Sequence, residues 1–199
     1  MNVYKVKKVD KKLTEINDNL WDIAEVAEVS LDNWGKNEYA PKMTARILYS
    51  DYGLHVKMTT DEDNLVARER KQNGDIYLDS CMEFFFSGNE ESPYYFNFEF
   101  NPYGNIYIST RKSRLDFYFP EVDRFYFEVQ SYVAPEEWTI MFTVPFDFID
   151  KEHGAHTKRF KGNFYKCGGT RQHYLTYYPV GTAEPDFHRP EYFGDFELE

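Results

Sequence analysis

The sharpest alternation of apolar and polar positions lies between Asp79 and Asn101, in the stretch DSCMEFFFSGNEESPYYFNFEFN. Its first apolar run, Met82 to Phe86, is interrupted only by Glu83, and its second alternates residue by residue. Phe96, Phe98 and Phe100 fall on one side of an extended chain, and Tyr95, Asn97, Glu99 and Asn101 fall on the other. Strand side chains change face at every residue, whereas a helical period would mix those two sets. The stretch therefore predicts a central β-hairpin with one face in a core and the other polar and aromatic. The second face has the composition of a sugar-binding surface, and equally that of an ordinary solvated sheet face.

The rest of the chain reads in the same terms. Residues 3–9 alternate weakly, as in an edge strand, and residues 13–34 form a wrapping segment with a strand near its end. Met43–Ser50 and Leu54–Thr60 flank Asp51-Tyr52-Gly53, which predicts a second hairpin. Residues 61–75 are charged and end in Asn73-Gly74, a long solvated loop with one helical turn near Leu65–Glu69. Strands follow at 105–111, 124–133 and 138–144, the last ended by Pro145, which cannot donate to a ladder. A short helical turn is expected over Phe146–Ile149, then strands in GNFYKC and HYLTYY and an edge strand in the tail. About nine or ten strands with short turns and no long periodic helix predict an all-β fold. The expected form is a two-sheet antiparallel β-sandwich, jelly-roll or immunoglobulin-like. Phe84, Phe86, Phe96, Phe98, Phe100, Trp138, Ile140 and Phe142 form its expected core.

Composition sharpens this picture at three points. A length of 199 residues fits one domain, 1–199, and the 17 Tyr beside 18 Phe exceed what a core absorbs, because each buried hydroxyl needs a partner. A net charge of −11 argues against nucleic acid or an anionic membrane as partner. Cys81 and Cys167 each sit in an apolar run and are read as buried free thiols, with a bridge between them left open. The first residues, MNVYKVKKVDKKL, lack the apolar stretch of about 7–15 residues of a secretory signal. No apolar run approaches the ~20 residues of a membrane span. As written the chain reads as cytoplasmic; a domain cut free of its leader, and so extracellular, would read the same.

Six motifs occur in order across residues 21–196: DSCMEFF, YFNFEFNPYG, WTIMFTVPF, GNFYKCG, HYLTYYPV and PDFHRPEYFG. Together they resemble the carbohydrate-binding family 9-like proteins, relatives of modules attached to some xylanases and of the wider DOMON-like sandwiches. The resemblance implies a sandwich that holds a sugar between aromatic platforms. Its partner would be an oligosaccharide or the chain end of a polysaccharide such as xylan. On that resemblance Tyr77, just before Asp79, and Tyr177 take the places of the two platforms, as Tyr rather than Trp. Glu83 resembles the acid after the Asp-Ser motif, shifted by one residue, and Arg111 and Asn163 match polar partners by position. Metal sites in some members leave a structural calcium open, with no ligands named; no other cofactor is expected.

The chemistry fits those residue types. The C–H face of a pyranose packs on an aromatic ring while carboxylates, amides and Arg satisfy its hydroxyls. The expected site therefore combines Tyr77 and Tyr177 as stacking rings with Glu83, Asn97, Glu99 and Asn163 as hydroxyl partners and Arg111 as a charged donor. Two other readings stay open: a glycoside hydrolase-like enzyme using Glu83 and Glu99 as its carboxyl pair, and a partner-binding sandwich with no sugar site. Cys81, Cys167, His173 and His188 match no close-set Cys/His spacing, so the spacing predicts no zinc site. Nothing local supports Met82 and His173 as haem ligands. Phosphate loops, GxSxG and basic clusters are absent, and Asp79 is expected to hydrogen-bond at a strand start. The oligomeric state is left open.

Overall fold

Two of the expected hairpins anchor the architecture. A computed structural model describes residues 2–199. In it β3 (Met43–Ser50) and β4 (Gly53–Thr60) form the first hairpin, and β5 (Cys81–Phe86) and β6 (Tyr95–Phe100) form the central one. β7 (Ile106–Arg111) and the short β8 (Phe117–Tyr118) extend the central hairpin on one side, and β11 (Arg159–Cys167) on the other. β10 (Trp138–Pro145) and β9 (Gln130–Val133) extend the first hairpin. Between β10 and β11 runs the helix α1, Phe146–His153.

The chain ends join these two groups. β1 (Tyr4–Lys8) pairs in parallel with β13 (Gly194–Leu198) on one edge and with β3 on the other, while β13 pairs with β11. A single hydrogen-bonded path thus runs β8-β7-β6-β5-β11-β13-β1-β3-β4-β10-β9. β2 (Ala27–Val29) pairs with β3 and β12 (Tyr174–Thr176) with β11, off that path. Leu31 and Thr176 exchange both backbone hydrogen bonds, at 3.0 and 3.1 Å, and tie those two short strands together.

The two halves of the path face each other across the core. The Phe98 and Phe100 rings of β6 lie 5.4 and 4.5 Å from that of Phe142 on β10, and Phe84 stacks on Phe164 at 4.4 Å. All eight expected core residues are fully buried. Tight packing of this kind, rather than strand propensity, holds such strands in register.

Several local expectations are corrected. There are thirteen strands among the described residues, not nine or ten; the one in a stretch where no strand was expected is β8, a two-residue pair too short to carry a period. The alternation from Arg124 to Val133 yields a strand only from Gln130. Asp123 accepts the Phe125 amide at 2.7 Å, Glu128 takes a left-handed φ of 51°, and Phe125 is left exposed. β1 and β13, expected as edges, lie inside the path, since each finds a partner on both sides. The turn expected at Leu65–Glu69 is not helical; one 3-10 turn comes later, at Ile76–Leu78. The helical turn after Pro145 extends through His153. No helix among the described residues is long and apolar enough to cross a membrane.

Candidate functional site

The polar face of the central sheet is not solvated. Tyr95, Asn97, Glu99 and Asn101 are all buried, because the loop 61–78 and the segment 185–193 fold over that side. Asp79 fastens the loop: its Oδ1 accepts the Arg68 amide, and its Oδ2 accepts those of Glu69 and the Asn101 side chain, all at 2.9 Å. This is the strand-start role expected of it.

What the covering segments leave open is a cavity of about 380 Å³. Its floor is built by Glu83 of β5, Glu99 of β6 and Cys167 of β11; Tyr107 and Arg111 of β7 form one wall. Glu83 and Glu99 occupy directly opposed positions in the β5–β6 register, and Cys167 stands opposite Cys81 in the β5–β11 register. Around the mouth stand Tyr77, Phe117, Tyr174 and Phe187. Phe187 stacks on the Tyr165 ring at 4.3 Å, and Trp34 packs behind both Phe187 and Tyr174 at 6.1 and 6.3 Å. A larger surface depression between the 64–68 loop and Tyr103 has no buried carboxyl and less chemistry to offer.

The floor is electrostatically unusual. Burial pushes the Glu83 carboxyl well above its ordinary range, with the Cys167 thiol adding to the shift. Glu99 is raised in the same direction by burial and then by Glu83, and Arg111 offsets only part of that. Glu99 Oε1 accepts from the Asn97 amide at 3.0 Å, and its buried Oε2 has no hydrogen-bond partner. Arg111 is 5% exposed; its Nε, Nη1 and Nη2 donate at 2.7 Å to the Ser109 hydroxyl, the Arg114 carbonyl and the Tyr107 hydroxyl. Since a guanidinium has about five N–H groups, two remain for a ligand. His188, against Phe85 and within 3.1 Å of the Tyr95 hydroxyl, is pushed down to about 3 by burial and stays neutral.

Of the residues expected from sequence, the fold brings Tyr77, Glu83, Glu99 and Arg111 to this cavity. Asn97 lies beneath it, holding Glu99 and the Ser109 hydroxyl. Asn163 spends its amide on the backbone of Tyr178, donating at 3.0 Å and accepting at 2.8 Å. Tyr177 does not line the cavity but packs on the core side, against Tyr4 and Phe164. The late aromatic at the mouth is instead Tyr174. It stands opposite Cys167 in the β11–β12 register and so shares its face, while an odd step along the chain carries Tyr177 to the other side. Tyr174 could have been found by that parity; Phe187 and His188, in an aperiodic segment, carry no such signal. Cys81 and Cys167 are free and buried.

An all-β chain whose concave, aromatic-mouthed cavity opens on a central sheet defines a class of small ligand-binding domains. Within that class the chain belongs to carbohydrate-binding family 9, whose model matches residues 15–198. Among solved structures it is similar to a candidate carbohydrate-binding protein from Bacteroides uniformis ATCC 8492, at 25% identity and a TM-score of 0.82 over 98% of each chain. It also resembles a family 9 carbohydrate-binding module from Caldicellulosiruptor kristjanssonii in complex with cellotriose, at 12% identity and a TM-score of 0.68 over 100% of this chain and 94% of that one. A glucose complex of a family 9 module from the same organism matches at 12% identity and a TM-score of 0.65, over 98% and 95%. No curated protein matches the sequence.

Proposed function

We propose that this protein binds a neutral oligosaccharide, at its chain end, without cleaving it, in the cavity between the central sheet and the 185–193 segment. The observation that carries this reading is the pairing of an aromatic mouth with a polar floor: Tyr77, Tyr174 and Phe187 above, Glu83, Glu99 and Arg111 below. Rings at that height accept the C–H face of a pyranose, and the floor groups meet its hydroxyls. The ligands of the Caldicellulosiruptor modules, cellotriose and glucose, support a neutral sugar as the occupant. The site is carried on one of two sheets of a sandwich, and the opposing sheet serves as its rigid support. Both floor carboxyls are pushed upward, so neither is set apart as the ionised partner that an acid/base pair requires.

Calorimetric titration with glucose and cello-oligosaccharides tests the reading. Saturable binding is expected, weakened roughly tenfold or more, about 1.4 kcal/mol, by Tyr174→Ala or Tyr77→Ala. Tyr77 is 53% exposed, so its replacement should leave the melting temperature nearly unchanged. Silence at millimolar sugar, or aryl-glycoside turnover abolished by Glu83→Gln, overturns the proposal.

A further inference from the structure

Beside Glu83, at and just beneath the cavity floor, stand two thiols, Cys167 and Cys81, to which the sugar site assigns no role. Cys81 and Glu83 lie two residues apart on β5 and so share a face, and Cys167 joins them from β11 directly opposite Cys81. Cys167 Sγ lies 3.0 Å from Glu83 Oε1, Cys81 Sγ lies 3.7 Å from the same oxygen, and one ligand atom from each of the three residues falls within 4.8 Å of the others. A tetrahedral ion with metal–sulfur bonds of about 2.3 Å and metal–oxygen bonds of about 2.0–2.2 Å sets its donors roughly 3.5–3.8 Å apart. The 3.7 Å separation of Cys81 and Glu83 meets that spacing, and the 3.0 Å contact of Cys167, a thiol–carboxyl hydrogen bond in the metal-free site, would open slightly on binding. Independently, Glu99, opposite Glu83 and more than nine-tenths buried, lines the same floor with an oxygen that has no partner.

We propose that Cys81, Glu83 and Cys167 form a binding site for a thiophilic divalent cation of the zinc class, with a fourth position opening to the cavity beside Glu99. Two sulfur donors select zinc-like ions over calcium or magnesium, which take oxygen ligands. The ion enters through the cavity, where Glu83 and Cys167 are both reached. Each thiol that coordinates loses its proton to the buffer as the sulfur–metal bond forms, and Glu83 binds as the carboxylate. Asn97 holds the neighbouring Glu99 in place through the 3.0 Å contact to its Oε1, a supporting role typical of groups around a metal. Because each thiol must give up a proton to bind, binding should tighten as pH rises. Glu83 is shared with the proposed sugar site, but the metal readouts below use no sugar, and a sugar titration of the chelator-treated protein is read separately.

The test uses the full chain, kept reduced by a phosphine and freed of metal by chelation and dialysis. Titration with Co²⁺ should give a saturable thiolate charge-transfer band at one equivalent per chain, bleached on adding Zn²⁺. Zn²⁺ alone should raise the melting temperature and release protons, and Ca²⁺ should do neither. Cys167→Ser and Glu83→Gln should each weaken the metal by at least tenfold while keeping the far-ultraviolet spectrum of a folded β protein. In case a variant does not fold, the unaltered chain gives a second readout: Zn²⁺ should slow alkylation of both thiols. Absence of the band, equal stabilisation by Ca²⁺, binding that survives Cys167→Ser, or alkylation indifferent to Zn²⁺ would each overturn the site.

Discussion

His153 lies face to face with Phe96, ring centroids 3.6 Å apart, and its Nδ1 accepts the Gly88 amide at 3.2 Å. The proton therefore sits on Nε2, which is buried without a partner, and burial pushes the group from 6.5 down to about 3. The unfolded chain takes up this proton first, so the stability His153 contributes is present above pH 6.5 and is lost as pH falls toward about 3. Its imidazole signal should stay constant until the pH nears 3; titration near 6.5 would mean the ring is solvated. Glu99 has the opposite sign. Its folded value is raised above 4.5, so stability is full below that pH and falls as pH rises. Glu99→Gln should accordingly raise the melting temperature near neutrality relative to the unaltered chain, with the gain vanishing below about pH 4. A variant less stable at every pH would show that the carboxylate is held by something other than the contacts seen here. The faces of Glu99 and Arg111 were legible from alternation, whereas Glu83, in an almost solidly apolar run, came from the family resemblance. That the face is covered was not legible, since the covering segments are aperiodic and their hold on it runs through single groups such as Asp79 and His188.

Among the elements, the hairpins were read most securely, because a turn such as Asp51-Tyr52-Gly53 between two alternating runs sets both pairing and register. The pairing of β5 with β11 was not legible. Cys81 and Cys167 are 86 positions apart, and only long-range packing sets which strand lies beside which. One contact at this join can be tested directly. Gly168 follows β11 with φ +80°, and a Cβ there would lie 1.8 Å from the Asp79 carbonyl oxygen, which also accepts the Gly169 amide at 3.0 Å. Gly35 has a similar φ of +62° but open space around it. Gly35→Ala should cost about 1 kcal/mol, the price of the left-handed backbone alone. Gly168→Ala should cost clearly more, at least about 2 kcal/mol, because backbone must move. Urea unfolding midpoints decide between them: equal losses would mean the strand start at Asp79 yields freely.

At the scale of the whole molecule, two groups of strands depend on the chain termini to become one hydrogen-bonded path. β13 contributes Phe196 and Leu198 to the core and pairs with β11 and β1, while β1 continues the path to β3. Phe196 touches both sides of the join: its ring is 5.3 Å from Tyr4, 5.2 Å from Phe160 and 6.0 Å from Phe84. Removing residues 194–199 would leave β11 and β1 with open edges and expose Tyr4, Phe84 and Phe160, apolar surface that the remaining strands cannot cover. The Leu31–Thr176 bridge at the other end of the same join consists of two hydrogen bonds and offers little apolar area in compensation. The full chain is therefore expected to unfold in one cooperative calorimetric transition, and the truncated chain to lose it and bind a hydrophobic dye. If the truncated chain instead melts in a sharp transition with native near-ultraviolet dichroism, the two groups of strands are held together by their facing Phe side chains, and the terminal join is dispensable.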